Sequence, residues 1–195
     1  MAVRNAVSSS LRLGLELAPQ GLCIVQDLVN TEAIDAFGVP DLLADVEVAQ
    51  RWVVEAVRTW SKRTGQPPCE LILAQGDLPP LRRLRAELRR WLVAGDSTAL
   101  SVPPRAMTVG VEAGRPGYGP RANGAAGVTA LVGMEILLSS RANTVNRLRV
   151  CMNSECSAAF YDQSKNGSRV WHDVKTCGNV ANLRASRARR RSAPG

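Results

Sequence analysis

The chain has 195 residues, 45% hydrophobic and 4% aromatic, enough for one or two domains whose cores must be filled mainly by aliphatic side chains. Its best candidate for a membrane span, residues 128–138, falls short of the roughly 18 residues needed and contains Glu135, and the N-terminus MAVRNAVSSSLRLG lacks a sustained apolar core, so the sequence reads as soluble and cytoplasmic. The net charge of +8 is uneven: residues 1–140 carry 14 Lys+Arg against 14 Asp+Glu, whereas residues 141–195 carry 11 against three, the pattern of a polyanion-binding appendage on a neutral body.

In chain order, residues 1–15 read as a loose lead-in. Residues 21–29 (GLCIVQDLV) form a short apolar run, either a buried strand or a turn of helix, which periodicity does not separate at this length. A helix is predicted over 45–60, with Asp45 as N-cap and an apolar stripe of Ala49, Trp52, Val53, Ala56, Val57 and Trp60. A second is predicted over 79–94, burying Leu81, Leu84, Leu88, Trp91 and Leu92, with Arg82, Arg83, Arg85, Arg89 and Arg90 largely on its other faces. Residues 101–127, rich in Pro and Gly, read as loop with a short strand at 106–111. A third helix is predicted over 126–140, burying Val128, Leu131, Val132, Met134 or the neighbours of Glu135, and Leu138, and 141–149 is a link. The tryptophan-bearing stripes read as core, with a dimer interface as the alternative.

The five cysteines, an odd number with no export signal, argue against a disulfide framework. Cys23 reads as a small core residue and Cys69 as partly exposed. The other three lie close together with the only histidine: Cys151 and Cys156 are separated by four residues, His172 and Cys177 by four, and the pairs by fifteen. Two close pairs joined by a short stretch are how small modules build a tetrahedral S/N site, so one structural zinc on Cys151, Cys156, His172 and Cys177 is predicted. Four protein ligands leave no open position for water, and three thiolates make a poor Lewis acid.

Between the pairs, residues 158–161 and 169–171 are predicted to form a hairpin, with a turn at 162–168 and with Phe160, Tyr161 and Trp171 capping the metal. Gly178 is expected to let the backbone turn sharply after the last ligand, and a basic helix to run over 179–191. Its Arg184, Arg187 and Arg191 share one face, Val180 and Leu183 can pack against the hairpin on the other, and Lys165 and Arg169 lie in or near the turn; all five basic residues are candidate phosphate contacts. With its sole histidine committed to metal, and with Ser8-Ser9-Ser10, Ser139-Ser140 and the pairs Asp41/Asp45 and Glu32/Asp35 lacking catalytic partners, an enzyme is not expected.

The spacing Cys-x4-Cys, then FYDQSKNGSRVWH, then CGN and an Arg-rich helix resembles the CGNR zinc finger. Residues 21–31 (GLCIVQDLVNT) and the helical body after them resemble the ABATE domain that precedes this finger. The sequence departs from the family pattern at Val180, where the motif's last Arg is expected, at Val170, where a second basic residue is frequent, and at His172, a ligand position where Cys is common. The resemblance implies an α+β protein: an ABATE-like, mainly helical domain over 1–145, a zinc-stapled module of knuckle, hairpin and basic helix over 146–191, and a tail over 192–195. It further implies a bacterial, stress-related transcription regulator, cytoplasmic and on the nucleoid when bound, whose finger binds DNA and whose body senses a small-molecule effector or dimerises. A zinc-stapled protein-interaction module or ligand-sensing adaptor without specific DNA binding is the alternative.

Overall fold

A computed structural model describes residues 8–94 and 106–183. Its elements, in order, are α1 (Leu22–Val29), α2 (Val46–Thr64), α3 (Leu78–Ala94), β1 (Met107–Glu112), β2 (Arg115–Pro120), α4 (Gly124–Arg141), β3 (Leu148–Val150) and β4 (Ala159–Tyr161). Among the described residues the architecture is α+β: the helices α1 to α4, two small antiparallel hairpins and a cysteine–histidine cluster. Among the described residues no helix is long and apolar enough to cross a membrane.

The apolar run at 21–29 resolves as helix. All eight residues of α1 are buried, and α2, α3, α4 and β4 pack around it. A helix satisfies its backbone groups internally, so it can occupy the centre of a core without neighbouring strands. Two polar side chains go into the core with it. Gln26 accepts from the Ala18 amide (2.6 Å) and donates to the Glu16 carbonyl (3.0 Å). Asp27 accepts from the Ser8 hydroxyl (2.6 Å) and the Ser10 amide (3.0 Å), while the Ser9 hydroxyl donates to the Asp27 carbonyl. Residues 8–15 are therefore not a loose lead-in: Ser8 and Ser10 are buried supplying donors to the core carboxylate, and Ser9 supplies one to the Asp27 carbonyl.

The two long helices follow their sequence patterns. Asp45 caps α2 by accepting from the Glu47 and Val48 amides at 2.9 and 3.1 Å, and all six predicted stripe residues are buried. In α3, Leu81, Leu84 and Leu88 are buried, and Trp91 and Leu92 pack half-buried at the edge. Arg85, however, turns inward: its guanidinium grips both oxygens of Asp41 at 2.8 Å and donates to the Thr31 hydroxyl at 3.1 Å.

The predicted loop before α4 carries a full hairpin, β1 against β2 from Met107↔Pro120 to Glu112↔Arg115. Its two-residue tip, Ala113-Gly114, has φ of 48° and 76°, the left-handed pair a tight hairpin needs. Helix α4 buries Val128, Leu131 and Val132 but leaves Leu138 40% exposed. It instead brings Glu135 inside, where one oxygen accepts from Trp60 Nε1 and from the Tyr118 hydroxyl, both at 2.6 Å. The same carboxylate lies against Gly21 so closely that an added Cβ would sit 1.9 Å from Glu135 Cδ. Trp60 and Tyr118 complete the arrangement with a T-shaped contact at 5.9 Å.

Candidate metal centre

The second hairpin builds the site. Its strands are β3 and β4, in register Leu148↔Tyr161, Arg149↔Phe160 and Val150↔Ala159. Sequence reasoning places Arg169–Trp171 opposite β4; in the structure β4 instead pairs with the segment preceding Cys151. That pairing puts Cys151 and Cys156 on the loop joining the strands, closed by the Cys151 amide on the Ala158 carbonyl at 2.9 Å. Ser157, at φ 51°, turns the chain back into β4. Residues 169–171 run alongside, with one backbone bond from the Met152 amide to the Val170 carbonyl at 2.9 Å.

The other two ligands come from the return of the chain. Asp173 caps a wide helical turn, Val174–Gly178, accepting from the Lys175 and Thr176 amides at 2.6 and 3.3 Å. This turn presents Cys177, with His172 just before it. Gly178 is required by contact and not by a sharp bend: a Cβ there would meet Trp171 Cε3 at 3.2 Å and Val174 Cγ1 at 3.3 Å. The chain continues helically through Leu183.

The ligand atoms of Cys151, Cys156, His172 and Cys177 all lie within 4.8 Å of one another. A tetrahedral zinc, with bonds of about 2.3 Å to sulfur and 2.0 Å to nitrogen, needs neighbouring ligand atoms roughly 3.5–3.8 Å apart, so the cluster closes on the ion with small movements. The three cysteines are buried, and His172 Nδ1 faces Cys156 Sγ at 3.3 Å. Donors are already aimed at the sulfurs. The Asn153 and His172 amides face Cys151, the Ala158 amide faces Cys156, and Asn153 Nδ2 donates to Cys177 Sγ at 3.3 Å. Such bonds favour thiolate over thiol and orient the ligands.

Without a cation, the neighbouring thiols of Cys151 and Cys156 oppose each other's ionisation. Hydrogen bonding from Cys156, then from His172 and the amides, lowers the Cys151 pKa against the opposing effect of burial, while that of Cys156 is pushed up by Cys151 and by burial. A dication removes this conflict by binding all three as thiolates. The Cys3His donor set fits a single structural zinc, fully ligated by protein.

Residues 147–190 match the family model of the CGNR zinc finger. No curated protein matches the chain. The match covers the C-terminal module alone and coincides with the segment that carries all four ligands.

Within the CGNR finger, Phe160 and Trp171 pack with the metal ligands as predicted, together with Leu15 and Ile34 from the body; Tyr161 packs against the main core instead. Val180 and Leu183 are 39% and 52% exposed and do not join the cluster around the metal, which Leu15 and Ile34 of the body complete instead. Lys165 is exposed in the loop after β4. Arg169 is engaged internally, its guanidinium 5.5 Å over the Phe160 ring and bonded to the His172 carbonyl. Arg184, Arg187 and Arg191 lie outside the described residues.

The supporting residues of the finger carry weaker sequence signals. Asp162 is buried and accepts from the Ser164 and Arg169 amides at 2.9 and 2.8 Å. Arg147 donates to the Asp162 and Ser164 carbonyls at 3.0 and 2.7 Å, and Arg149 to the Gly167 carbonyl at 2.7 Å. These arginines look like phosphate contacts in a basic segment, yet they hold the loop 162–169 in place. Asn153 is likewise silent in sequence, since a polar residue between two zinc cysteines is ordinary knuckle composition.

Proposed function

We propose that the chain is a DNA-binding transcription regulator of the stress-responsive type, cytoplasmic and nucleoid-associated when bound, in which the zinc finger serves as a rigid platform for phosphate contacts. The observation that carries this reading is the confinement of the whole charge surplus to residues 141–195, the segment that holds the finger. With Arg147, Arg149 and Arg169 bonded within the module, the phosphate contacts fall to exposed Lys165 and Lys175 and to Arg184, Arg187 and Arg191. The zinc orders the loops and takes no chemical part, so catalysis is not proposed.

The test is a salt-titrated mobility-shift assay on duplex DNA, comparing the native chain with an Arg184/Arg187/Arg191→Ala variant. Each lost phosphate contact should lower the slope of log K against log salt by roughly 0.9, so the variant should lose about 2–3 units of slope. Unchanged affinity and slope would remove the assignment.

One observation favours a second reading, a protein-interaction module. Met152, Val170, Val174, Val180 and Leu183 of the finger are all exposed, between 39% and 69%. Exposed apolar side chains concentrated in a small module suit a protein partner better than a phosphate backbone. A partner retained through nuclease treatment and high salt would support it, and loss of every partner under nuclease would reject it.

A further inference from the structure

A cleft of about 830 Å³ lies where the body meets the zinc finger, within the size range of small-molecule sites. Leu13 and Phe37 of the body line it together with Phe160, His172, Val174 and Lys175 of the finger. A second cavity of about 210 Å³ shares Leu13, Phe37 and His172 and reaches Cys156. We propose that this cleft binds a small aromatic anion, one or two fused rings bearing a carboxylate or phosphate.

The aromatic half of the assignment rests on Phe37. It ends a single helical turn, Asp35–Phe37, and stands 50% exposed at the rim of both cavities. A large apolar ring held half in water beside an open space is unfavourable unless something covers it, and an aromatic face is suited to stacking. Val174, 55% exposed, adds apolar surface on the finger side.

The anionic half follows from which polar groups of the cleft already have hydrogen-bond partners. Glu16 accepts from Gln163 Nε2 at 2.6 Å. Asp173 is occupied in capping the turn that carries Cys177. Arg169 is bonded to the His172 carbonyl and lies over Phe160. Among the described residues, the Lys175 ammonium is the charged group lining the cleft that has no hydrogen bond or ion pair, so this exposed cation is free to pair with a negative ligand. The ligand would touch the body through Phe37 and the finger through Lys175, so its binding energy would depend on how the two are held together.

The experiment uses the zinc-loaded full chain with no nucleic acid present, so its failure leaves the DNA reading standing. 1-Naphthoate, phenyl phosphate and neutral benzamide are titrated by calorimetry and saturation-transfer NMR, with zinc content measured after dialysis. The two anions should bind with Kd at or below about 1 mM, the weak end of specific recognition, and benzamide more weakly. Phe37→Ala and Lys175→Gln alter exposed side chains, so each should weaken anion binding about fivefold to tenfold while zinc content and Tm stay unchanged. No binding at that concentration, equal binding of benzamide, affinity unaffected by both variants, or heat that arises from stripping of zinc would each overturn the assignment.

Discussion

Asn30 does with one side chain what a neighbouring strand does with its backbone. Its Nδ2 donates to the Ala159 carbonyl at 2.9 Å and its Oδ1 accepts from the Ala159 amide at 2.8 Å, so the carboxamide pairs with the open edge of β4 as a peptide group would. Gln26 adds a weaker bond to the same carbonyl at 3.3 Å, and Ser10 Oγ accepts the second Nδ2 proton at 3.0 Å. All these groups are buried, so their loss is not repaired by water. Asn30→Ala should therefore destabilise the zinc-loaded protein by roughly 2–4 kcal/mol, read as a lower urea midpoint. Asn30→Asp should be at least as damaging, because a carboxylate has no proton for the Ala159 carbonyl. A loss below about 0.5 kcal/mol in Asn30→Ala would show that the pairing contributes little. Asn153 acts the same way on the metal. Removing its bond to Cys177 in Asn153→Ala should weaken zinc affinity about 10–100-fold in a competition titration with a chromophoric chelator, and unchanged affinity would deny it a part in holding the ligand.

At the scale of elements, the long helices were legible and the hairpin around the metal was only half so. Six apolar residues at three- and four-residue steps behind Asp45 admit one reading, and α2 follows it. The ligand set was legible because thiol and imidazole spacing is a local property. The partner of β4 was not: residues 169–171 follow it after a turn-rich stretch, as a hairpin strand would, but the contacts of Arg147, Arg149 and Asp162 decide otherwise. Arg147, just before β3, and Arg149, within it, donate to the carbonyls of Asp162, Ser164 and Gly167, and Asp162 accepts from the Ser164 and Arg169 amides, which together fold 162–169 into a fixed loop. Buried polar residues escaped for a related reason. Arg85, Asp27 and Glu135 occupy positions that look like solvent faces, and only tertiary partners reveal that they point inward. Asp162 also sets a pH dependence. Burial alone would raise its pKa, but Ser164, the Arg169 amide and the Arg149 guanidinium hold it below the usual carboxylate range. A folded-state value below the unfolded one, about 3.9, means that its stabilisation is fully present above that pH and is lost as pH falls through the folded value. Asp162→Asn should thus be less stable than the native chain at neutral pH, and the difference should shrink on acidification. Urea titrations of both proteins from about pH 3 to 7 measure it, and a difference independent of pH would exclude an ionised Asp162 as the cause.

For the molecule as a whole, metal site and helical body are physically one object. Ala159 and Leu148 of the finger's hairpin belong to the main core, while Leu15 and Ile34 of the body pack with Cys151, Cys156 and Cys177. Arg89 of α3 reinforces the junction by bonding the Ser157 carbonyl, next to Cys156. A finger appended by a loose link would release its zinc without the body sensing it; here, loss of the ion should loosen the loop that leads into β4, against which Leu15, Ile34 and Phe160 are packed. Zinc contributes on the order of 10 kcal/mol in small finger modules, comparable with the entire stability of an ordinary domain. The zinc-loaded chain should therefore show one calorimetric transition involving α1 to α4 and the finger together. Chelation under reducing conditions should lower the Tm of the helical signal itself, by well over the 2–4 °C expected per kcal/mol for a chain of this size. Restoring one equivalent of zinc should recover it, whereas magnesium, which prefers oxygen ligands, should not. Two separate transitions in the loaded protein, or a helical melt indifferent to chelator, would mean that the contacts through Ala159 are too weak to couple the two parts.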